Sequence, residues 1–95
     1  MNKVVVGIVG VAHFGAYRRQ LIHAAGQFEV VAVCDRNPDA LAAAAKEEMA
    51  CAYDDYSAML DHPGLEGIVI STGADSHAAF AIAAMRRGLH VFVEK

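Results

Sequence analysis

The sequence predicts an α/β fold, a doubly wound parallel sheet with strand order 3-2-1-4-5. Three observations predict it. Apolar, β-branched runs alternate with helix-compatible segments along all 95 residues, and such alternation implies right-handed crossovers between parallel strands. The runs Val4-Val5-Val6-Gly7-Ile8-Val9 and Gly67-Ile68-Val69-Ile70-Ser71 are nearly continuous in apolar residues, as strands covered on both faces are. A turn with glycine at each end, Gly10-Val11-Ala12-His13-Phe14-Gly15, follows the first run directly and leads into a helical segment.

Each element has its own justification. Residues 3–9 form the first strand. The first helix covers 14–25 and is closed by Gly26 at its C-terminal cap. The second strand covers 29–34. Asn37 then serves as N-cap with Pro38 at the first helical position, where a missing N–H is harmless, and an alanine-rich helix follows over 39–49. Residues 52–53 make a short strand, and 56–60 a short helix stopped by His62-Pro63-Gly64. The fourth strand covers 67–71. A helix over 76–87, capped by Asp75 or Ser76 and ended by Gly88, leads to the last strand at 90–93.

Length and composition bound the function. Residues 1–95 make one domain, with 56% apolar residues to supply a core. A net charge of −3 gives no general attraction to nucleic acid or anionic lipid. No run reaches the ~18 apolar residues of a membrane span, and the N-terminal run lacks the layout of a secretory signal. Cys34 and Cys51 are too few for a disulfide framework and lack metal-ligand spacing, so the expectation is a cytoplasmic protein with reduced thiols and no metal. A sheet ending after its fifth strand would leave an apolar edge, so the chain is expected to be the front of a longer protein.

The chemistry-bearing residues fall at the carboxyl ends of the predicted strands, where doubly wound sheets bind ligands. Gly10 permits a sharp exit from strand one, and Gly15 lets the helix pack close to it. Around Ala12, His13 and Phe14, backbone N–H groups at a helix N-terminus suit a pyrophosphate. Ala12 stands where the dinucleotide fingerprint usually has glycine, and His13 is either a pyrophosphate ligand or an exposed loop residue. Roughly 20 residues past Gly15, Asp35 closes strand two, placed to accept hydrogen bonds from ribose hydroxyls and so to favour NAD slightly. Arg36 beside it could instead receive the 2′-phosphate of NADP. Strand, glycine turn, helix, strand and acid in this order are the Rossmann fingerprint.

Ser71-Thr72-Gly73 and His77 follow strand four, and Glu94-Lys95 follow strand five, together ringing the place of a nicotinamide. Arg18 and Arg19 read as solvated helix charges, and Arg86 and Arg87 as cations suited to a helix C-terminus. Cys34 reads as a small buried apolar residue.

Four segments, with Gly7-Ile8-Val9-Gly10 leading to Gly15, carry a resemblance that runs over essentially the whole chain: Cys34-Asp35-Arg36-Asn37-Pro38, Tyr53-Asp54-Asp55-Tyr56, residues 71–78, and residues 84–95 ending in His-Val-Phe-Val-Glu-Lys. The chain resembles the N-terminal domain of the Gfo/Idh/MocA oxidoreductases, which include glucose–fructose oxidoreductase and inositol dehydrogenase. The resemblance implies NAD(P)-dependent hydride transfer at a sugar, polyol or related carbon. It implies a catalytic role for Lys95, with Glu94 and residues 71–73 lining the nicotinamide side. It also implies a second domain that supplies an acid–base pair, the substrate pocket and a homo-oligomer interface, so the 95 residues alone would bind cofactor without turnover. Gly73 stands where the family usually has proline. A non-catalytic, NAD(P)-sensing regulator of the same family is the alternative. A methyltransferase also has a glycine turn and an acid after strand two, but gives Thr72, His77 and Glu94-Lys95 no role.

Overall fold

The structure, a computed structural model, describes residues 3–11, 15–72 and 74–93. Its elements are β1 (Val4–Val9), α1 (Gly15–Ala25), β2 (Phe28–Cys34), α2 (Pro38–Glu48), β3 (Cys51–Tyr53), α3 (Tyr56–Leu60), β4 (Gly67–Ile70), α4 (Ala74–Arg86) and β5 (His90–Val93). The strands form one sheet in the order β3-β2-β1-β4-β5, and every pairing is parallel. This is the predicted doubly wound order.

Two apolar layers hold the helices to the sheet. On one face Val6, Ile8, Val30 and Val33 pack with Ile22 of α1 and with Leu41 and Ala44 of α2. On the other, Val9, Ala32, Ile68 and Ile70 pack with Met59 and Leu60 of α3 and Ala84 of α4. The central strands β1 and β4 supply side chains to both layers, which is why their sequence is apolar almost without interruption.

Local signals account for most helix ends. Asn37 Oδ1 accepts from the Asp39 and Ala40 amides at 3.0 and 3.1 Å, and Pro38 occupies the first turn. Several boundaries shift by one residue from the sequence expectation, and two of the differences have a clear physical reason. α2 stops at Glu48, and Met49 takes a left-handed backbone with φ 55° while the Ala50 amide returns to the Ala45 carbonyl at 3.0 Å. This is the C-terminal cap glycine normally fills, here formed by a fully exposed methionine. α4 begins at Ala74, so Asp75 lies in its first turn, where a carboxylate suits the helix dipole, and neither Asp75 nor Ser76 precedes the helix as its cap.

Arg19 also departs from expectation. It is 5% exposed rather than solvated. Its Nε donates to Glu48 and its Nη2 to Glu47, both at 3.0 Å, and Glu48 also meets His23 Nε2 at 2.6 Å. The charge lies between α1 and α2 because two α2 carboxylates satisfy its donors there.

Candidate functional site

A cleft of about 400 Å³ opens at the carboxyl ends of the strands. Val9 and Gly10 come to it from β1, and Cys34, Asp35 and Arg36 from β2. Asp54, Asp55 and Tyr56 come from the β3–α3 connection, and Thr72, Ser76 and Phe80 from β4 and α4. Its place, over the β1–β2–β3 half of the sheet with β4 as the far wall, follows from the parallel topology, which collects every strand-to-helix turn on one edge.

Gly10 is required by geometry. Its φ is +91°, and a Cβ built there would lie 2.8 Å from the Ser71 carbonyl carbon, 2.8 Å from Thr72 Cγ2 and 2.9 Å from the Ser71 oxygen. Glycine thus lets β1 turn sharply while the end of β4 passes against it. The Gly10 amide donates to the Cys34 carbonyl at 2.9 Å, which fixes the turn to the end of β2.

Asp35 ties the two turns together. Its Oδ2 accepts from the Val11 amide and its Oδ1 from the Asn37 amide, each at 2.8 Å. A carboxylate receiving backbone N–H groups from both sides is held at the cleft in one orientation. Arg36, next in the chain, is exposed at the same cleft.

Ser71 and Thr72 follow β4 as half-buried residues, and His77 lies one turn into α4. His77 Nε2–H donates to the Thr72 carbonyl at 2.6 Å, because a carbonyl only accepts. His77 therefore braces the β4–α4 turn and is absent from the cleft lining, whereas Thr72 is part of it. Gly15 opens α1. Ala12, His13, Phe14, Gly73, Glu94 and Lys95 lie outside the described residues.

Other cleft residues were not singled out as site residues from sequence. Tyr56 donates its hydroxyl to the Phe80 carbonyl at 2.7 Å, and the two rings lie 4.3 Å apart at 48°. They give the cleft an aromatic wall between α3 and α4. Burial pushes the Tyr56 phenol up to about 12, with Cys34 raising it further and Arg87 opposing. Cys34 is buried as expected, and its thiol is pushed up to about 11, first by burial and then by Asp35, Asp55 and Asp54. It is a neutral wall, not a nucleophile. The available signals were Asp54 and Asp55 directly after β3 and the four-residue spacing of Ser76 and Phe80 on one helix face.

Among the described residues no group of histidine, cysteine, aspartate or glutamate side chains is arranged to hold a metal. Among them, too, no helix is long and apolar enough to cross a membrane.

The parallel order, the glycine turn and the bridging aspartate all agree with one family, whose model, described as the NAD-binding Rossmann fold of an oxidoreductase family (GFO_IDH_MocA), matches residues 4–95. The chain belongs to the Gfo/Idh/MocA oxidoreductase family. It is 36% identical over 94 residues to inositol 2-dehydrogenase of Salmonella paratyphi B, a match covering 94% of this chain and 27% of that protein. Among solved structures, the WlbA dehydrogenase of Bordetella pertussis, in complex with NADH and UDP-GlcNAcA, superposes with a TM-score of 0.89 at 32% identity, covering 99% of this chain and 29% of that one. The 3-ketoreductase KijD10 of Actinomadura kijaniata, solved with TDP-benzene and NADP, gives a TM-score of 0.84 at 26% identity over 97% of this chain and 30% of that one. The chain thus spans little more than a quarter of the length of the relatives it matches.

Proposed function

We propose that the 95 residues form the cofactor-binding domain of an NAD(P)-dependent dehydrogenase or reductase, the front of a two-domain protein acting on a hydroxyl or carbonyl carbon of a sugar or polyol. The observation that carries this reading is the Asp35 carboxylate, bonded to the glycine turn through Val11 and facing a cleft at the strand ends. The cleft has the size of a small-molecule site and suits the adenosine end of a dinucleotide: it combines an aromatic wall of Tyr56 and Phe80 with the polar side chains of Asp35 and Ser76. Membership of a family described as NAD-binding, and relatives named as dehydrogenases of inositol and of a UDP-sugar, support it.

In this reading Asp35 accepts hydrogen bonds from the adenosine ribose, which favours NAD over NADP. Gly10 and Gly15, with the turn of Ala12, His13 and Phe14 between them, present backbone donors to the pyrophosphate. Ser71 and Thr72, the latter braced by His77, line the nicotinamide side together with Gly73 and Glu94. The bound cofactor supplies or accepts the hydride. The Lys95 ammonium stabilises oxygen charge at the reacting carbon. Neutral Cys34 and Tyr56 keep further negative charge out of the cleft.

The test is a titration with NADH and, in parallel, NADPH, followed by reduced-nicotinamide fluorescence, for which a chain without tryptophan gives a low background. Saturable binding with tighter NADH supports the reading. Absence of binding by a folded sample to either nucleotide would sink it.

A further inference from the structure

The register of the sheet places a second source of charge beside Asp35. Cys34 pairs with Tyr53 across β2 and β3, so the next residues, Asp35 and Asp54, leave the sheet side by side. Asp55 follows, and its Oδ1 accepts from the Ser57 amide at 3.3 Å, which holds it at the start of α3. Both carboxylates line the same cleft as Asp35, and Arg36 is the single cation among the described lining residues. Three carboxylates against one guanidinium give that edge a net negative potential.

We propose that Asp54 and Asp55 are specificity-determining residues that select against a 2′-phosphate, so that cofactor choice is set by the β3–α3 connection as well as by Asp35. The proposal rests on reading the cleft as the adenosine end of a dinucleotide site. A ribose hydroxyl adds no charge and meets only the Asp35 acceptor. A 2′-phosphate at the same carbon would bring one to two negative charges to the cleft edge where Asp35 and Asp54 leave adjacent strands. Arg36 is the group expected to welcome that phosphate, and the neighbouring carboxylates offset its charge. The thiol of Cys34, at the floor between them, registers the same field, since Asp35, Asp55 and Asp54 all act to keep it protonated.

The experiment compares the ratio of the NADPH and NADH dissociation constants in the unchanged chain and in an Asp54→Asn/Asp55→Asn variant. Asparagine is isosteric with aspartate and caps helices equally well, so α3 keeps its N-cap. The ratio is expected to favour NADH in the unchanged chain and to fall on the order of ten-fold in the variant, as loss of two nearby unit charges implies. Raising salt from low to physiological strength should narrow the ratio in the unchanged chain and affect the variant less. An unchanged ratio in a variant that still binds NADH overturns this inference and leaves the cofactor site standing. Failure of the unchanged chain to bind either nucleotide overturns the site and the inference together.

Discussion

Replacing Gly10 by alanine tests the geometry at the exit of β1 most directly. Two penalties add there. A left-handed backbone costs an alanine roughly 1–2 kcal/mol. The new methyl would also lie 2.8 Å from the Ser71 carbonyl carbon and 2.9 Å from its oxygen. Those are backbone atoms of the strand end beside it, so relief requires moving β4 or β1, at roughly 1–3 kcal/mol as in other overpacked sites. The sum, roughly 2–5 kcal/mol, is a large part of the stability of a single domain, about 5–15 kcal/mol, and corresponds to a loss of about 10 °C or more in Tm for a chain this size.

Gly26→Ala is the internal control. Gly26 also has positive φ, +70°, but nothing lies within 4 Å of the Cβ position. It carries the backbone penalty alone, about 1 kcal/mol. Urea denaturation of the two variants separates the terms, and the difference between them measures the wall formed by Ser71 and Thr72. Gly10→Ala should also lose NADH binding under conditions where it remains folded, because the turn and the Asp35 bond to Val11 move with it. The reasoning is refuted if Gly10→Ala destabilises no more than Gly26→Ala, or if it binds NADH like the unchanged chain.

Three further outcomes are expected. Arg19→Ala leaves the buried Glu48 carboxylate with His23 as its one remaining side-chain partner among the described residues and should cost about 3 kcal/mol in urea denaturation, with an Arg19→Met/Glu48→Gln pair recovering a good part of it. Asp35→Asn deprives one of the Val11 and Asn37 amides of a carboxylate acceptor, with a stability loss of about 1 kcal/mol and an NADH affinity lower by at least about ten-fold in the fluorescence titration. Alkaline pH should weaken the fold: the unfolded thiol and phenol ionise from about 9 and 10, while Cys34 and Tyr56 resist until about 11 and 12. Their contribution is therefore full below pH 9 and lost as pH rises through 11 to 12; urea midpoints at pH 8, 10 and 11 would show the decline, and Cys34→Ala should flatten its first part by roughly 2–3 kcal/mol.

What sequence could reveal divides along a physical line. The strand order was legible because continuous apolar runs and turn residues are local facts, and the helix ends at Gly26 and Gly88 were legible because each takes positive φ, +70° and +75°. The end of α2 was not, since Met49 adopts that same conformation without being glycine. Arg19 was misjudged because its burial depends on Glu47 and Glu48, on the adjacent helix 28 and 29 positions later. The polar edge at Asp35 follows from the fingerprint. The facing wall of Tyr56 and Phe80 is made only when α3 and α4 come together on one face of the sheet.

The reach of Asp35 to the glycine turn depends on a feature that no motif records. Pairing between β1 and β2 runs Val4 with Phe28 through Val6 with Val30, then resumes at Gly7 with Ala32, leaving Val31 as the extra residue of a bulge. Side-chain alternation changes there. Val30 and Val33 both enter the α1–α2 layer, while Val31, Ala32 and Cys34 enter the α3–α4 layer. Strict alternation from Val30 would have sent Cys34 to the α1–α2 side and the next residue to the α3–α4 side, away from the α1 side of the glycine turn. With the extra residue, Cys34 floors the cleft beneath Tyr56, and Asp35 turns to the side where the Val11 amide waits at 2.8 Å. A single inserted residue thus decides which face receives the thiol and which the carboxylate, and the acid at the end of β2 is useful to the glycine turn only because the strand before it is irregular.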